Sequence, residues 1–387
     1  MEIALVIPKL GGGMGGYTIN LMNSLSSKGH IIHLYTTDDH PEIPQVVLHH
    51  VSRLNVRFLE LRNISFEMLT RRMLRKSRFD VVIGFEKTIR QDVFRVGSGC
   101  HRAFMRHYYN SYKNPIARLF GKARLKHRVL LYMEKKQFQK PNYVKIIANS
   151  RMVKEDIMSL YNVPDGDIIV IYNGVDNERF HPDNRSRFKM TIRERYGISK
   201  EDFLILFVGK GFKRKGVRFL IQAAADLKKM KLAPNFKILI VGHESKARTY
   251  RNLSQKRGLQ GQVIYTKSSQ PNIEEYYAAA DAFVFPTLYD PFANVCLEAM
   301  ASGLPVITSQ NNGASEIICD DMNGYVLDDP TNHTVLARKI ALLFDPVRRQ
   351  RLGRNARKTA EGYSINSHVD KVLQVLREAA VMRASSF

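Results

Sequence analysis

Two acids eight residues apart, Asp290 and Glu298, stand in the string PTLYDPFANVCLEAMASGLPVITS, and a basic pair, Arg214 and Lys215, stands in GKGFKRKG. Carboxylates accept hydrogen bonds from hydroxyl groups. A pyrophosphate needs counter-charge and amide donors together. Arg214 and Lys215 supply the charge just before a predicted helix start, and Gly216 lets a ligand come close to the backbone. The plainer alternative is a solvated basic turn and two surface acids. His101 lies in the small-residue loop GSGCHR after a strand-like run, and Gly15 and Gly16 end the run PKLGGGMGG. These glycines would let the backbone approach a phosphate or sugar at a helix start.

These residues need a scaffold. FVF (283–285) reads as a buried strand ending at Pro286, and the loop 288–292 carries Asp290. Residues 294–301 read as a helix, with Val295, Leu297, Ala299 and Met300 supplying apolar contacts. Gly303 ends it, and Pro305-Val306-Ile307 starts another strand. A strand–loop–helix–strand unit builds a parallel sheet whose carboxyl edge binds ligands. The amides of Phe292, Ala293 and Asn294 are expected to be free near the helix start, where an electron-rich ligand is favoured.

The same alternation runs through the chain. FLILFV (203–208) is a strand leading into the basic loop, and residues 217–228 form the next helix. Strands follow at 236–241 and 263–265, the latter leading into Tyr265 and Lys267. In the first half, residues 3–7 form a strand, 8–16 a glycine loop, 17–27 a helix and 31–35 a strand. Further strands are expected at 79–85, 93–96, 144–148 and 167–172. Gly11, Gly13 and Gly16 match G-x-G-x-x-G, and Asp38 or Asp39 could hold a ribose, so a dehydrogenase-like nucleotide site stays open. Asn173-Gly174 is a turn signal, which places a hinge near 173–185.

With 387 residues the chain can bury two cores. No apolar run has transmembrane length, and three separated cysteines give no disulfide framework, which fits a reduced, cytoplasmic setting. No His, Cys or acid cluster has metal-ligand spacing, so no metal is expected. The formal charge of +24 calls for an anionic partner. Residues 102–145 hold twelve Lys or Arg against one acid, Glu134. Within them, 115–140 reads as a basic amphipathic helix broken at Gly121, suited to an anionic membrane surface or simply to a solvated face. Zinc-finger spacing and RNP-type aromatic motifs are missing, so no nucleic acid is expected.

The long string from Pro286, YNGVDNERFHP at 172–182 and the Arg-Lys-Gly run at 214–216 together resemble the signature of retaining GT-B glycosyltransferases of family 4. The likeness is strong over 173–327 and, within that family, points most to the bacterial lipopolysaccharide core glucosyltransferases. It implies an α/β architecture of the GT-B fold, with two Rossmann-like domains facing a cleft. The acceptor-binding domain would be 1–175, the donor-binding domain 176–364, and 365–387 a helix crossing back onto the first. The implied reaction moves a hexose from a nucleotide diphosphate sugar, UDP-hexose first, to a glycan or lipid-linked glycan such as lipopolysaccharide core. Anomeric configuration is retained and no metal or other cofactor takes part.

By the same resemblance, Arg214 and Lys215 clamp the diphosphate, Glu298 accepts from the ribose and Asp290 holds the sugar's hydroxyls beside the amides of Phe292, Ala293 and Asn294. Tyr265 and Lys267 lie by the base, and His101 contacts the donor sugar. The family more often has Glu where Asp290 stands, and Asn20 occupies the place of a first-domain acid found in many relatives. An enzyme peripheral to the cytoplasmic face of the inner membrane is implied. The rivals are a nucleotide-sugar epimerase of similar fold, a basic nucleic-acid-binding protein and a dehydrogenase.

Overall fold

The structure, a computed structural model, describes the chain apart from residues 40–42, 53–58, 111–124, 231–233, 246, 267–269 and 385–387. Its contacts divide it into two units: Met1–Asn173 with Ile365–Phe387, and Gly174–Ser364.

The first unit carries β1 (Glu2–Val6), β2 (Ile31–Thr36), β3 (Val46–His50), β4 (Val81–Phe85), β5 (Val93–Val96), β6 (Lys145–Ala148) and β7 (Ile168–Val170). They pair in parallel in the order β3-β2-β1-β4-β5-β6-β7, with Ile3 opposite Ile32 on one side and Val81 on the other. Continuous apolar runs suit strands covered on both faces. β3 escapes a sequence reading because it is an edge strand whose Val47 and Leu48 are exposed, so VVLHH shows neither alternation nor a buried run. The glycine run also differs from expectation. The helix Gly12–Ser27 begins inside it, so its glycines form the first turns of the helix and not a loop.

The helix Ile365–Ala384 belongs to this first unit. Val369, Val372, Leu373, Leu376 and Ala379, spaced by three and four residues, share a buried cluster with Ile3, Leu5, Leu21 and Phe85. Arg383 pairs with Asp92 at 2.8 Å near its end.

The second unit carries β8 (Phe203–Val208), β9 (Phe236–Val241), β10 (Val263–Tyr265), β11 (Ala282–Phe285), β12 (Val306–Ser309) and β13 (Gly324–Leu327). All pair in parallel in the order β10-β9-β8-β11-β12-β13. Both units are therefore Rossmann-like. In each, the strand order reverses once, between β1 and β4 and between β8 and β11. Loops leaving the carboxyl ends at such a reversal splay apart and leave a crevice for a ligand. In the second unit those loops carry Arg214, Lys215 and Asp290.

Candidate active site

β8 ends at Val208 and the chain runs through Gly209–Gly216 into the helix Val217–Lys229. The adjacent strand β11 ends at Phe285 and leads through Asp290 into the helix Asn294–Ala301. The two loops are stitched together. Leu288 N–H and Thr287 Oγ1 both donate to the Arg214 carbonyl, at 2.8 and 3.0 Å. Gly216 makes this possible. Its φ is +80°, and a Cβ there would collide with the Pro286 carbonyl oxygen. The close approach inferred for Gly216 is thus to the neighbouring loop of the chain itself. From the far side, Glu244 accepts from Phe212 N–H at 2.9 Å and steadies the basic loop.

Arg214 Nη1 donates to Tyr289 O and to Asp290 Oδ2, each at 3.0 Å. Lys215 Nζ donates to the same Asp290 oxygen, and its ammonium lies 4.7 Å from the centre of the Phe285 ring. Among the described residues, Arg214 Nε and Nη2 have no hydrogen-bond acceptor, and Lys215 Nζ has none beyond Asp290. Burial alone would raise the Asp290 carboxyl, but Lys215 and Arg214 outweigh it and hold it below the usual carboxylate range. Burial pushes the Lys215 ammonium down, with Asp290 opposing.

The structure brings Arg214, Lys215 and Asp290 together, and Glu298 has a hydrogen-bond partner of its own. Glu298, partly buried on the helix Asn294–Ala301, accepts from Tyr277 Oη at 2.8 Å. Burial raises its carboxyl, and the Tyr277 hydrogen bond and the Arg179 charge pull it back. Arg179 is itself held by Glu274 at 2.8 Å. The reading of the amides needs correction. Ala293 N–H is not free: it donates to Asn312 Oδ1 at 3.0 Å. Asn312, fully buried, also accepts from Ala314 N–H and donates to Thr308 Oγ1 and Cys296 Sγ. Asn312, Tyr277, Glu244 and Arg179 were not foreseen. Asn312-Gly313, three residues beyond the end of β12, is the signal that could have pointed to the first, as a turn pair and a helix-cap residue.

Comparison with known proteins bears on both units. The model of glycosyl transferases group 1 matches residues 188–359, and that of Glycosyltransferase Family 4 matches residues 11–179. The lipopolysaccharide glucosyltransferase WaaG of Escherichia coli is 24% identical over 370 residues, covering 94% of this chain and 95% of that protein. The crystal structure of WaaG superposes with a TM-score of 0.82 at 23% identity, over 97% of this chain and 99% of that one. This chain belongs to the GT-B glycosyltransferases of family 4. An uncharacterized glycosyltransferase of Methanocaldococcus jannaschii is 30% identical over 240 residues, 61% of this chain. The chain spans only 60% of that relative's length, and 57% of a D-inositol 3-phosphate glycosyltransferase from Catenulispora acidiphila. HepE of Anabaena, solved with UDP and glucose, has the same fold, with a TM-score of 0.72 at 16% identity over 98% of this chain and all of that one.

The remaining candidates of this family 4 glycosyltransferase are placed as follows. His101 opens the helix His101–Asn110 in the first unit. Its Nε2 meets His127 Nδ1 at 2.8 Å, and His127 Nε2 meets Tyr109 Oη at 2.9 Å. Burial, with Lys87 and His127 adding to it, lowers His101 to about 3, so the ring is neutral. Glu134, nearly buried, accepts from the amides of His101 and Arg102 and from Tyr161 Oη, which fixes the start of that helix. Gly15 packs on the Leu10 carbonyl, leaving no room for a side chain, whereas space is open around Gly16. Asp38, considered for a ribose, accepts from Leu10 N–H at 2.9 Å. Tyr265 shares a hydrogen bond with Ser254 at 2.9 Å. Lys267 lies outside the described residues. Of the basic segment 102–145, residues 111–124 lie outside them too, and the helix Leu125–Gln137 exposes Leu125 and Tyr132. Among the described residues no helix is long and apolar enough to cross a membrane, and no group of three or more His, Cys, Asp or Glu could hold a metal ion.

Proposed function

We propose that this chain transfers a hexose from a nucleoside diphosphate sugar to a glycan or lipid-linked glycan, with retention at the anomeric carbon and without a metal. One observation carries the reading. Arg214 and Lys215, fixed at the sheet's switch point, keep hydrogen-bond donors that no described residue uses. Two partly exposed cations with unspent donors suit a diphosphate. As the bond from the anomeric carbon to the diphosphate oxygen breaks, negative charge builds on the diphosphate and the sugar becomes oxocarbenium-like. Arg214 and Lys215 absorb that charge. The acceptor oxygen then bonds to the same face of the anomeric carbon, and its proton passes to the departing phosphate. Glu298 accepts from the ribose hydroxyls, and His101, neutral, hydrogen-bonds to the sugar. UDP-glucose is the first donor to try, since WaaG is named a glucosyltransferase and HepE was solved with UDP.

The acceptor is proposed to be presented at the cytoplasmic face of a membrane, in the manner of lipopolysaccharide core. The surplus of Lys and Arg over residues 102–145 and the exposed Leu125 and Tyr132 support docking to anionic lipid. Co-sedimentation with anionic but not neutral vesicles, weakened by salt, is expected.

The test is a panel of nucleotide sugars with wild type, Lys215→Ala and Glu298→Ala. Each variant is expected to lose transfer by at least about 100-fold, the scale of one strong transition-state contact. Dialysis against a chelator should leave the rate unchanged, and the product should keep the donor's anomeric configuration. Near-normal turnover in Lys215→Ala would overturn the assignment. An altered sugar released without acceptor would point to epimerisation instead.

A further inference from the structure

We propose that Asp290 is a positioning residue: a fixed counter-anion that keeps Lys215 charged and holds both cations in place, and not an acceptor for the sugar's hydroxyls. This rests on the reading that Arg214 and Lys215 meet a diphosphate.

The geometry supports it in three ways. First, the Asp290 backbone is pinned on both sides: its N–H donates to Asn311 O and its carbonyl accepts from Gly313 N–H, both at 2.9 Å. The loop is therefore held to the chain after β12 and is not at liberty to move by the methylene that separates Asp from Glu. Second, the residue is only 5% exposed. Third, one oxygen, Oδ2, takes hydrogen bonds from both Arg214 and Lys215.

Lys215 needs such a partner. Its side chain is 13% exposed, and a buried ammonium without an anion tends to shed its proton. The charged and titratable groups that face it are Asp290 from the loop after β11, Arg214 from its own loop and Cys296 from the helix Asn294–Ala301. Arg214 repels it. Burial pushes the Cys296 thiol up to about 12, so that group stays neutral and gives no charge. Asp290 alone among the three supplies a negative charge at neutral pH. Without it, Lys215 would lose its proton at a lower pH and the clamp would lose half its charge.

UDP binding by calorimetry, from pH 7 to pH 9 at constant ionic strength, tests this. Wild type should bind with little change over the range. Asp290→Asn should bind progressively more weakly as pH rises, by up to about tenfold per pH unit once Lys215 is deprotonated in the free protein. Asp290→Glu, which keeps the charge, should restore the flat profile and shift UDP and UDP-glucose affinity by the same factor. Parallel profiles for wild type and Asp290→Asn would overturn the proposal. So would an Asp290→Glu variant in which only UDP-glucose affinity changes, since that marks a sugar contact; this arm decides even where Asp290→Asn fails to fold. Lys215→Ala separates the two readings. If it binds UDP as wild type does, or if wild type binds no UDP, the diphosphate clamp fails and this inference with it. If it binds weakly while Asp290→Asn stays flat with pH, the clamp stands and only the role of Asp290 falls.

Discussion

Strand β11 has an arginine–aspartate cluster at each end, and the two are built for different ends. At its amino end, Asp281 faces Arg185 and Arg193, both at 2.6 Å. Arg193 is fully buried, and every nitrogen is used: Nε on Ala279 O, Nη1 on Ser199 O and Asp202 O, Nη2 on Asp281. Asp281 also accepts from Leu204 N–H and so ties β11 to β8. At the carboxyl end, Asp290 faces Arg214 and Lys215, but Arg214 is 33% exposed and two of its nitrogens have no acceptor among the described residues. A saturated guanidinium has nothing left to offer a ligand and serves the fold. An unsaturated one sits in an incomplete hydrogen-bond shell that an anion can finish. Charge type and pairing are nearly the same at both ends, and Arg185 at the amino end is itself 40% exposed, so what separates scaffold from site is the buried, saturated Arg193 that only the amino end holds.

The largest effect should come from the closed end. Arg193→Ala removes the buried member of this network, strands three carbonyls and leaves Asp281 with only Arg185 and Leu204 N–H, so it should cost about 3–5 kcal/mol of unfolding free energy by urea titration. Lys215→Ala should act in the opposite way, with a smaller loss of stability and about 2.7 kcal/mol lost from transition-state binding, the equivalent of 100-fold. If the two variants exchanged these effects, the comparison would be broken.

Next comes the seam that holds the open end together. Gly216→Ala must adopt a left-handed backbone and also push against Pro286, whereas Gly211, at φ +73°, has open space around it. Gly216→Ala should cost at least about 2 kcal/mol, and Gly211→Ala about 1 kcal/mol from backbone strain alone. The gap between them, read from thermal unfolding, measures the contact between the loops. Equal losses would mean that the contact contributes nothing.

Much of this was legible in the sequence. The strands of the second unit centre on short apolar runs, FLILFV among them, and a run this short, closed by glycine or proline as at 209 and 286, reads as a strand of a parallel sheet. Arg214, Lys215 and Asp290 declared themselves by charge beside loop and helix signals. Their contact with one another did not, because 75 residues separate Lys215 from Asp290 and only the adjacency of β8 and β11 joins them. Asn312 was hidden for a related reason. Asn312-Gly313 shows a turn, but the bonds of Asn312 to Ala293 N–H and Cys296 Sγ join the chain after β12 to the start of the helix Asn294–Ala301, which residue types do not reveal. Tyr277 sits in EEYYAAA, where an aromatic residue reads as packing and its hydroxyl bond to Glu298 depends on a helix elsewhere in the chain. β3 failed because exposed edge strands do not carry the buried pattern.

The last effect concerns the two units and acid. In the second unit, burial acts against the ionised forms of Asp281 and Asp290, but hydrogen bonds and cations overcome it and both are held below the usual carboxylate range. Their stabilisation is fully present above about pH 3.9 and is lost as pH falls through the lowered values. The first unit has a group that responds much earlier. His368 is 5% exposed, with Nδ1 against Tyr172 O at 2.7 Å and Nε2 against Tyr17 Oη at 2.8 Å. A carbonyl only accepts, so Nδ1 carries the proton and Nε2 accepts from Tyr17. Burial, with Arg95 adding to it, lowers this histidine to about 3. The unfolded chain therefore takes up a proton as pH falls below about 6.5 while the folded chain does not, which costs up to about 1.4 kcal/mol per pH unit. Glu67, Asp92 and Glu134 in the same unit are raised by burial and work in the opposite sense, stabilising as pH falls. A difference measurement isolates the histidine. Amide exchange in β1 and β4, corrected for intrinsic rates, should lose more protection between pH 7 and pH 5 in wild type than in His368→Gln, while β8 and β11 should respond alike in both. An equal response of β1 in the two proteins would show that His368 is not the buried neutral base described, and that the units do not differ in acid in this way.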